Sequence, residues 1–455
     1  MLHTSMQRIR ATLVCMADRA RRPGLTRDLL RGGLGNIAAR LLYVPLAVAL
    51  SAVLARSLGP AGYGVYAFVF ALVSVSIVLS QFGLPKFLIS ETARGEAGHD
   101  HGHIRAIWLW SLALGLCTTA IVCLLALMLL FGVRSQFSGG VLATCLSGIA
   151  VLALMTFSRL LGCATRGLRG VVLGQLPDMI VRPGLLLLIL VFFLWQGEGR
   201  LDPARAMQWH VVSAGIGLAT AIMFLYYKCP AGLFRSSASR WRQREWLVAI
   251  RPFIWSSATY QVLQYADILI IGVFWSAADV GRYRVAMQAA MLGIIGLQAA
   301  QVLAQPHLAR LYRQGDRQRL EQVVRATSVG AFLLALGVLV VLAVAGRELL
   351  FLVFGPNYEA SYLPILILAL GQLFNAFFGA ADVLLEMTGQ QKSAARAFLI
   401  GAVCNVALNL IFIPVWGIVG ASWATMIGMV VWKLLLWHAA HRMLGMDTAA
   451  IRILR

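Results

Sequence analysis

Charge is what this sequence has least of. Asp, Glu, Lys and Arg make up 13% of the chain, against about a quarter in soluble globular proteins. Acidic residues are the scarcer kind, 18 against 39 basic ones. With 60% hydrophobic residues and a mean hydropathy of +0.79, this shortage excludes a water-soluble domain and defines a polytopic membrane protein. The seven cysteines are an odd set without CxxC spacing, most of them inside apolar runs, so neither a disulfide framework nor a metal site follows. No GxxxxGK[ST] phosphate loop occurs, because Lys392-Ser393 follows glutamine, and an ATP-driven pump is excluded.

Long polar segments are also missing. The predicted outer loops leave no room for the catalytic residues of an integral-membrane glycosyltransferase or a polysaccharide polymerase, so no enzymatic activity and no cofactor are expected. The net charge of +21 could suggest nucleic acid, but the basic residues recur in short clusters between apolar runs rather than on one face, which makes them topology signals. The run His99-Asp-His-Gly-His103 has metal-ligand chemistry, yet it stands in a hydrophilic stretch and reads as a solvated loop.

What is present is organised around Leu34–Leu84. Two apolar runs of about 20 residues, each long enough for a hydrocarbon core of about 30 Å, flank a turn broken by Gly59, Pro60 and Gly62. A weaker copy begins near Arg251. There Gly281-Arg-Tyr283 falls on Gly64-Val-Tyr66 and Pro306 on Pro85, at spacings of 217 and 221 residues. This is an internal duplication. The expected fold is all-α, with twelve transmembrane helices at about 34–56, 62–84, 106–131, 139–163, 171–195, 205–228, 247–274, 282–304, 326–346, 361–388, 394–413 and 418–440.

The expected domains are a basic tail (1–33), a six-helix lobe (34–228), a linker (229–246), a second six-helix lobe (247–440) and a C-terminal tail (441–455). Lys and Arg fall about 28 to 7 on the N-terminal side of the membrane, with about 4 inside spans. Both termini are therefore expected in the cytoplasm. Six spans is an even number, so the lobes insert alike, related by a pseudo-two-fold along the membrane normal. Trp195, Trp246, Trp275 and Trp416 stand at span ends, as headgroup anchors do. Pro177 and Pro183 predict a kink in the fifth span, whereas Pro252 and Pro364 read as first-turn prolines.

The informative residues are charges inside spans, each worth about 2.5–3.5 kcal/mol against insertion at the bilayer centre. They are Arg40, Asp178, Arg182, Arg251, Asp267, Asp382, Glu386 and Lys433. Asp178 and Arg182, four apart, can pair on one helix face. Arg40, Arg251 and Lys433 stand near cytoplasmic span ends, where long side chains can snorkel to headgroups. Alternatively Arg40 and Arg251, from the corresponding first spans of the two halves, meet at the mouth of a central cleft. There, with Arg182 and Lys433, they would form a cationic cavity suited to a diphosphate, because the guanidinium fork matches phosphate oxygens. Asp178, Asp267, Asp382 and Glu386 are the candidates for ion coupling or ion pairing. The first four spans contain no Asp or Glu, which argues for an anionic rather than a cationic cargo.

The hairpin LARSLGPAGYGVYAF, followed by QFGLPKFLISETARG, resembles the opening of bacterial polysaccharide flippases. These are the O-antigen and exopolysaccharide transporters of the multidrug/oligosaccharidyl-lipid/polysaccharide superfamily. Further matches are ADILIIG (Ala266 to Gly272), VGRY (Val280 to Tyr283), Gly389-Gln-Gln-Lys392, Asn405, Asn409, Ile413-Pro414 and GIVGAS (Gly417 to Ser422), the last with Ser422 where the family commonly has alanine. The resemblance covers nearly the whole chain. It implies two lobes that alternate between inward-open and outward-open states and move an undecaprenyl-diphosphate-linked oligosaccharide across the inner membrane. It also implies membrane lipids as surroundings and a polysaccharide polymerase and assembly proteins as partners. The alternatives are a cation-coupled multidrug antiporter, a non-transporting scaffold, and a lipid II flippase, which usually carries two additional spans.

Overall fold

A computed structural model describes residues 25–450 apart from 198–200, 231, 234–241, 295–296, 299–300, 302–303, 305–307, 309 and 313. The basic tail before Leu25 and Ser237 of the linker lie outside the described residues. The described chain is helical, without a strand, and eight of its helices are long and apolar enough to cross a membrane.

Two of the eight exceed one crossing. Helix α1 (Leu25–Gln81) is interrupted at Gly59, whose φ of 68° is a conformation glycine adopts without a steric penalty, and the expected 34–56 and 62–84 spans lie on either side of it. Helix α12 (Gln391–Leu444) is interrupted in the same way at Gly417, φ 55°. Between them run α2 (Leu84–Ala97), α3 (His101–Gly132), α4 (Gly139–Gly167), α5 (Arg182–Trp195), α6 (Pro203–Lys228), α7 (Gln243–Phe274), α8 (Ala277–Ala290), α9 (Arg317–Phe354), α10 (Tyr362–Phe377) and α11 (Ala381–Met387). A π-helical turn, Pro177–Val181, leads into α5, where prolines at both ends of the turn disturb the i→i−4 ladder.

Several expectations are corrected. Pro252 is no first-turn proline, since α7 is already under way at Gln243, whereas Pro364 does fall in the first turn of α10. The histidine run is a helix start rather than a loop: Asp100 Oδ1 accepts from the His103 backbone N–H at 2.8 Å and caps α3. Trp195 and Trp416 are exposed, but Trp246 is buried edge-to-face against Trp110, ring centroids 5.2 Å apart, so it ties α7 to α3 instead of anchoring at headgroups.

The duplicated segments meet. A β-carbon on Gly64 would overlap the Ala277 carbonyl oxygen and one on Gly281 the Pro60 carbonyl oxygen, and each would stand 3.0 Å from the other glycine's amide nitrogen. Only residues without side chains let α1 and α8 approach this closely. At the same end, which faces outward in the expected orientation, the Tyr358 hydroxyl donates to the Ala55 carbonyl at 2.9 Å. Arg56 donates to the Leu352 carbonyl. Beside this seal α7 follows the second half of α1 from Phe68 over Gly272, through Gln261 Nε2 donating to the Ser74 carbonyl at 2.8 Å, to Gly83 against the Ile254 backbone. A buried apolar core runs inward from this seal through both halves, including Tyr63, Ile77, Met155, Ile271, Val285 and Ile365.

Candidate functional site

The matched tyrosines of the duplication are used alike. Tyr66 is buried, and its hydroxyl lies 2.8 Å from His210 Nδ1 on α6. Tyr283, fully buried, donates to Asp267 Oδ2 at 2.6 Å and lies 3.3 Å from Thr425 Oγ1 on the last part of α12. In each half, then, a tyrosine from the second helix of the hairpin is tied to the helix that closes that half. Asp267, 2% exposed, also accepts from the Ile268 backbone N–H at 2.9 Å. The asparagines of α12 extend this network, with Asn409 Nδ2 donating to Asn405 Oδ1 at 3.1 Å and Asn405 Nδ2 to Thr425 Oγ1 at 3.5 Å. A buried carboxylate needs such donors to be retained in its charged form.

Where the two halves meet, arginines and tyrosines gather. Arg284 of α8 stands near Tyr63 and Tyr43 of α1 and Tyr265 of α7. Toward the end opposite the seal Arg40 and Tyr43 stand near Tyr260 of α7, which is exposed. Tyr66 feels both Arg182 and Arg284. Five tyrosines thus stand among three arginines contributed by both halves. Guanidinium groups in such a setting offer forked donors to phosphate oxygens, while the phenols add hydroxyls and ring faces for sugars.

The structure brings some of the sequence candidates together and separates others. Arg40 and Arg251 are both exposed and make no ion pair among the described residues. Arg251 precedes Tyr260 by nine positions on α7, about 13 Å farther from the sealed end. Arg182 does not pair with the Asp178 carboxylate: its Nη2 donates to the Asp178 backbone carbonyl at 3.3 Å and its Nη1 meets His210 Nε2 at 2.8 Å. The Asp178 carboxylate instead faces Arg159 at 3.8 Å and Ser158 at 3.4 Å, both on α4. Each side chain has its partner on another helix, Arg159 and Ser158 of α4 for the carboxylate and His210 of α6 for the guanidinium. Lys433 does not snorkel. It is 1% exposed, donates to the Gly379 carbonyl at 3.2 Å and lies 3.6 Å from Asp382, which also accepts from Gln301 at 3.1 Å. Glu386 is exposed at the end of α11, with Asp382 and Lys86 as its charged neighbours. Among the described residues no cluster of His, Cys, Asp or Glu is arranged to hold a metal.

Arg284, His210 and the tyrosines of this site escaped sequence reasoning. Arg284 opens the eighth span only two residues after its expected start and so reads as an end-of-span charge. His210 and Tyr66 carry no pattern of their own, although Tyr66 could have been singled out from its match to Tyr283.

Solved structures of membrane transporters share this all-helical fold. A multidrug resistance MATE family transporter of the MOP superfamily in an inward-facing conformation superposes with TM-score 0.70 at 15% identity, over 90% of this chain and 98% of that one. The lipid II flippase MurJ in an inward closed conformation gives 0.68 at 11% identity, over 90% and 87%. An outward-facing MATE transporter gives 0.63 at 16% identity, over 92% and 95%. The sequence narrows the class. Residues 29–311 match the model of the polysaccharide biosynthesis protein family, and the chain belongs to that family; residues 252–411 also match the MatE model. A probable low-salt glycan biosynthesis flippase, Agl15 of Haloferax volcanii, is 28% identical over 161 residues, 35% of this chain and 34% of that protein. An uncharacterized membrane protein of Methanocaldococcus jannaschii is 25% identical over 195 residues, 40% and 38%. The match thus spans just over a third of the length of these curated relatives.

Proposed function

We propose that this protein is a flippase for a lipid-linked oligosaccharide. It receives an undecaprenyl-diphosphate-linked sugar repeat unit at the cytoplasmic leaflet of the bacterial inner membrane. By alternating access of two six-helix lobes, residues 34–228 and 247–440 joined by the 229–246 linker, it carries the unit to the outer leaflet. There the unit enters surface polysaccharide of the O-antigen or exopolysaccharide kind through a downstream polymerase. The observation that carries this reading is the grouping of Arg40, Arg182 and Arg284, from both halves, with Tyr43, Tyr63, Tyr66, Tyr260 and Tyr265.

In this reading Arg40 and Arg251 take the diphosphate at the cytoplasmic rim, and Arg284 with Arg182 hold it deeper. Fixed guanidinium forks suit two phosphates, the phenols suit sugar faces, and the apolar lipid stays outside between helices. Lys433 with Asp382 holds the C-terminal half together. Asp267 is engaged by Tyr283 and stands ready to couple an ion.

The test is reconstitution. Purified protein in liposomes should move a fluorescent polyprenyl-diphosphate-linked sugar between leaflets, and the gene should restore surface polysaccharide to a strain deleted for it. Intact polysaccharide in the deletion strain together with new sensitivity to cationic drugs would refute the reading in favour of a drug antiporter. Liposomes that move no lipid-linked sugar would favour a scaffold.

A further inference from the structure

His210 is 2% exposed in the N-terminal half, and both of its ring nitrogens are engaged, Nδ1 with Tyr66 and Nε2 with Arg182. A guanidinium has five donors and no acceptor, so Nε2 must accept. The ring is therefore neutral, its proton on Nδ1 and donated to the Tyr66 oxygen. A second proton could bind only at Nε2, where it would point at the Arg182 N–H groups and place two cations side by side in a buried site. Arg182 and a proton are thus mutually exclusive ligands of the same nitrogen.

Arg182 is also poised to leave. Its Nε is buried without a hydrogen-bond partner, and its other terminal nitrogen makes only the 3.3 Å bond to the Asp178 carbonyl. An unsatisfied buried donor on a cation favours any anion that reaches it. The surroundings of His210 oppose no exchange: Phe70 stacks on the ring at 5.3 Å, Tyr66 comes from α1 and Arg182 from α5. The Asp178 carboxylate is turned to Arg159 of α4, and Arg284 of the opposite half acts on Tyr66. Arg182 is the charged group acting directly on the ring.

We propose that His210 couples transport to protons by exchanging Arg182 for a proton. A diphosphate entering the site draws Arg182 off Nε2. Nε2 then takes a proton from water, while the Nδ1–H bond to Tyr66 persists. Loss of that proton lets Arg182 return to Nε2 and weakens the hold on the diphosphate. The proposal rests on the diphosphate reading above and adds the coupling ion to it.

The test uses the purified full chain in weakly buffered detergent and farnesyl-diphosphoryl-glucose as probe. This diphosphate diester has no titrating group of its own near neutrality, so uptake reports on the protein. Wild type should take up as much as one proton per probe bound. By linkage its Kd should then fall up to about tenfold per unit decrease in pH across the histidine range. In His210→Gln the side-chain amide can accept from Arg182 and donate to Tyr66 but does not titrate, so uptake should vanish and Kd should become flat with pH. Wild type that binds the probe without uptake at about pH 5–9 would overturn the coupling and leave the diphosphate reading standing. His210→Gln with wild-type uptake would remove the assignment to His210. Wild type that does not bind the probe at any pH would overturn both. The wild-type measurement decides the coupling even where the variant fails to fold.

Discussion

Gly64→Ala is the substitution with the largest structural leverage on the transport cycle. The new methyl group would occupy the position of the Ala277 carbonyl oxygen and crowd the Gly281 amide at 3.0 Å, both backbone atoms that no rotamer change can move aside. Helices α1 and α8 must therefore separate at the outer end by something on the order of 1 Å, and the bond from Tyr358 to the Ala55 carbonyl is pulled apart with them. Overpacking of this kind costs about 1–3 kcal/mol. The cost falls on the closed state alone, and at about 1.4 kcal/mol per tenfold it shifts the equilibrium roughly 5- to 150-fold toward the outward-open state. The assay replaces the seven native cysteines, places one at Ala55, fully buried under Tyr358, and measures its labelling by a membrane-impermeant maleimide in intact spheroplasts. Labelling of Gly64→Ala should be at least about five times faster than that of the parent, by the lower bound of that shift. Gly281→Ala should act in the same direction through Pro60. Gly132→Ala, where a β-carbon meets open space, should change nothing. Equal labelling of parent and Gly64→Ala at equal protein levels would refute the view that this glycine pair seals the outer end.

The remaining predictions concern charge and orientation. Arg40→Ala and Arg251→Ala should each weaken glycan export by about ten- to hundredfold in affinity terms, the worth of a charge-assisted contact. Arg→Lys should not restore them, because lysine lacks the fork; if both alanine variants, normally expressed, gave wild-type export in a deletion strain, the rim site would have to be abandoned. Asp382→Ala leaves Lys433 charged and 1% exposed, and should destabilise the protein by about 3–5 kcal/mol, seen as a lower unfolding temperature. Adding Lys433→Met to it should recover most of that loss, and a double variant no more stable than the single would show that the pair does not matter. A cysteine at Ser237 should react with impermeant maleimide only after the inner membrane is breached, and reaction in intact spheroplasts would invert the topology.

What the sequence disclosed follows period and composition. The apolar runs, the breaks at Gly59 and Gly417, and the match of Gly64-Val-Tyr66 to Gly281-Arg-Tyr283 could all be read directly, because span length and helix-breaking residues leave a local signature. Side-chain partnership could not. The pairing of Asp178 with Arg182 gives way to partners on other helices, Arg159 for the carboxylate and His210 for the guanidinium. Lys433 stands near a span end in sequence but is turned inward to Asp382, a choice made by helix rotation, which composition does not encode. Trp246 looks like an anchor until Trp110 is seen against it. Arg284 and His210, the residues that give the site its chemistry, are defined by what approaches them from other helices.

The contact between Gly64 and Gly281 has the character of an isologous interface, in which each half presents the same patch to the other, as in a two-fold dimer of separate chains. Fusion of such a dimer into one polypeptide releases most positions to drift independently, since the two copies then face different neighbours. The patch on the axis is not released: neither glycine can grow without displacing the backbone of the opposite copy. The duplicated motif is accordingly most legible where the two copies touch, at the contact that closes this end of the protein.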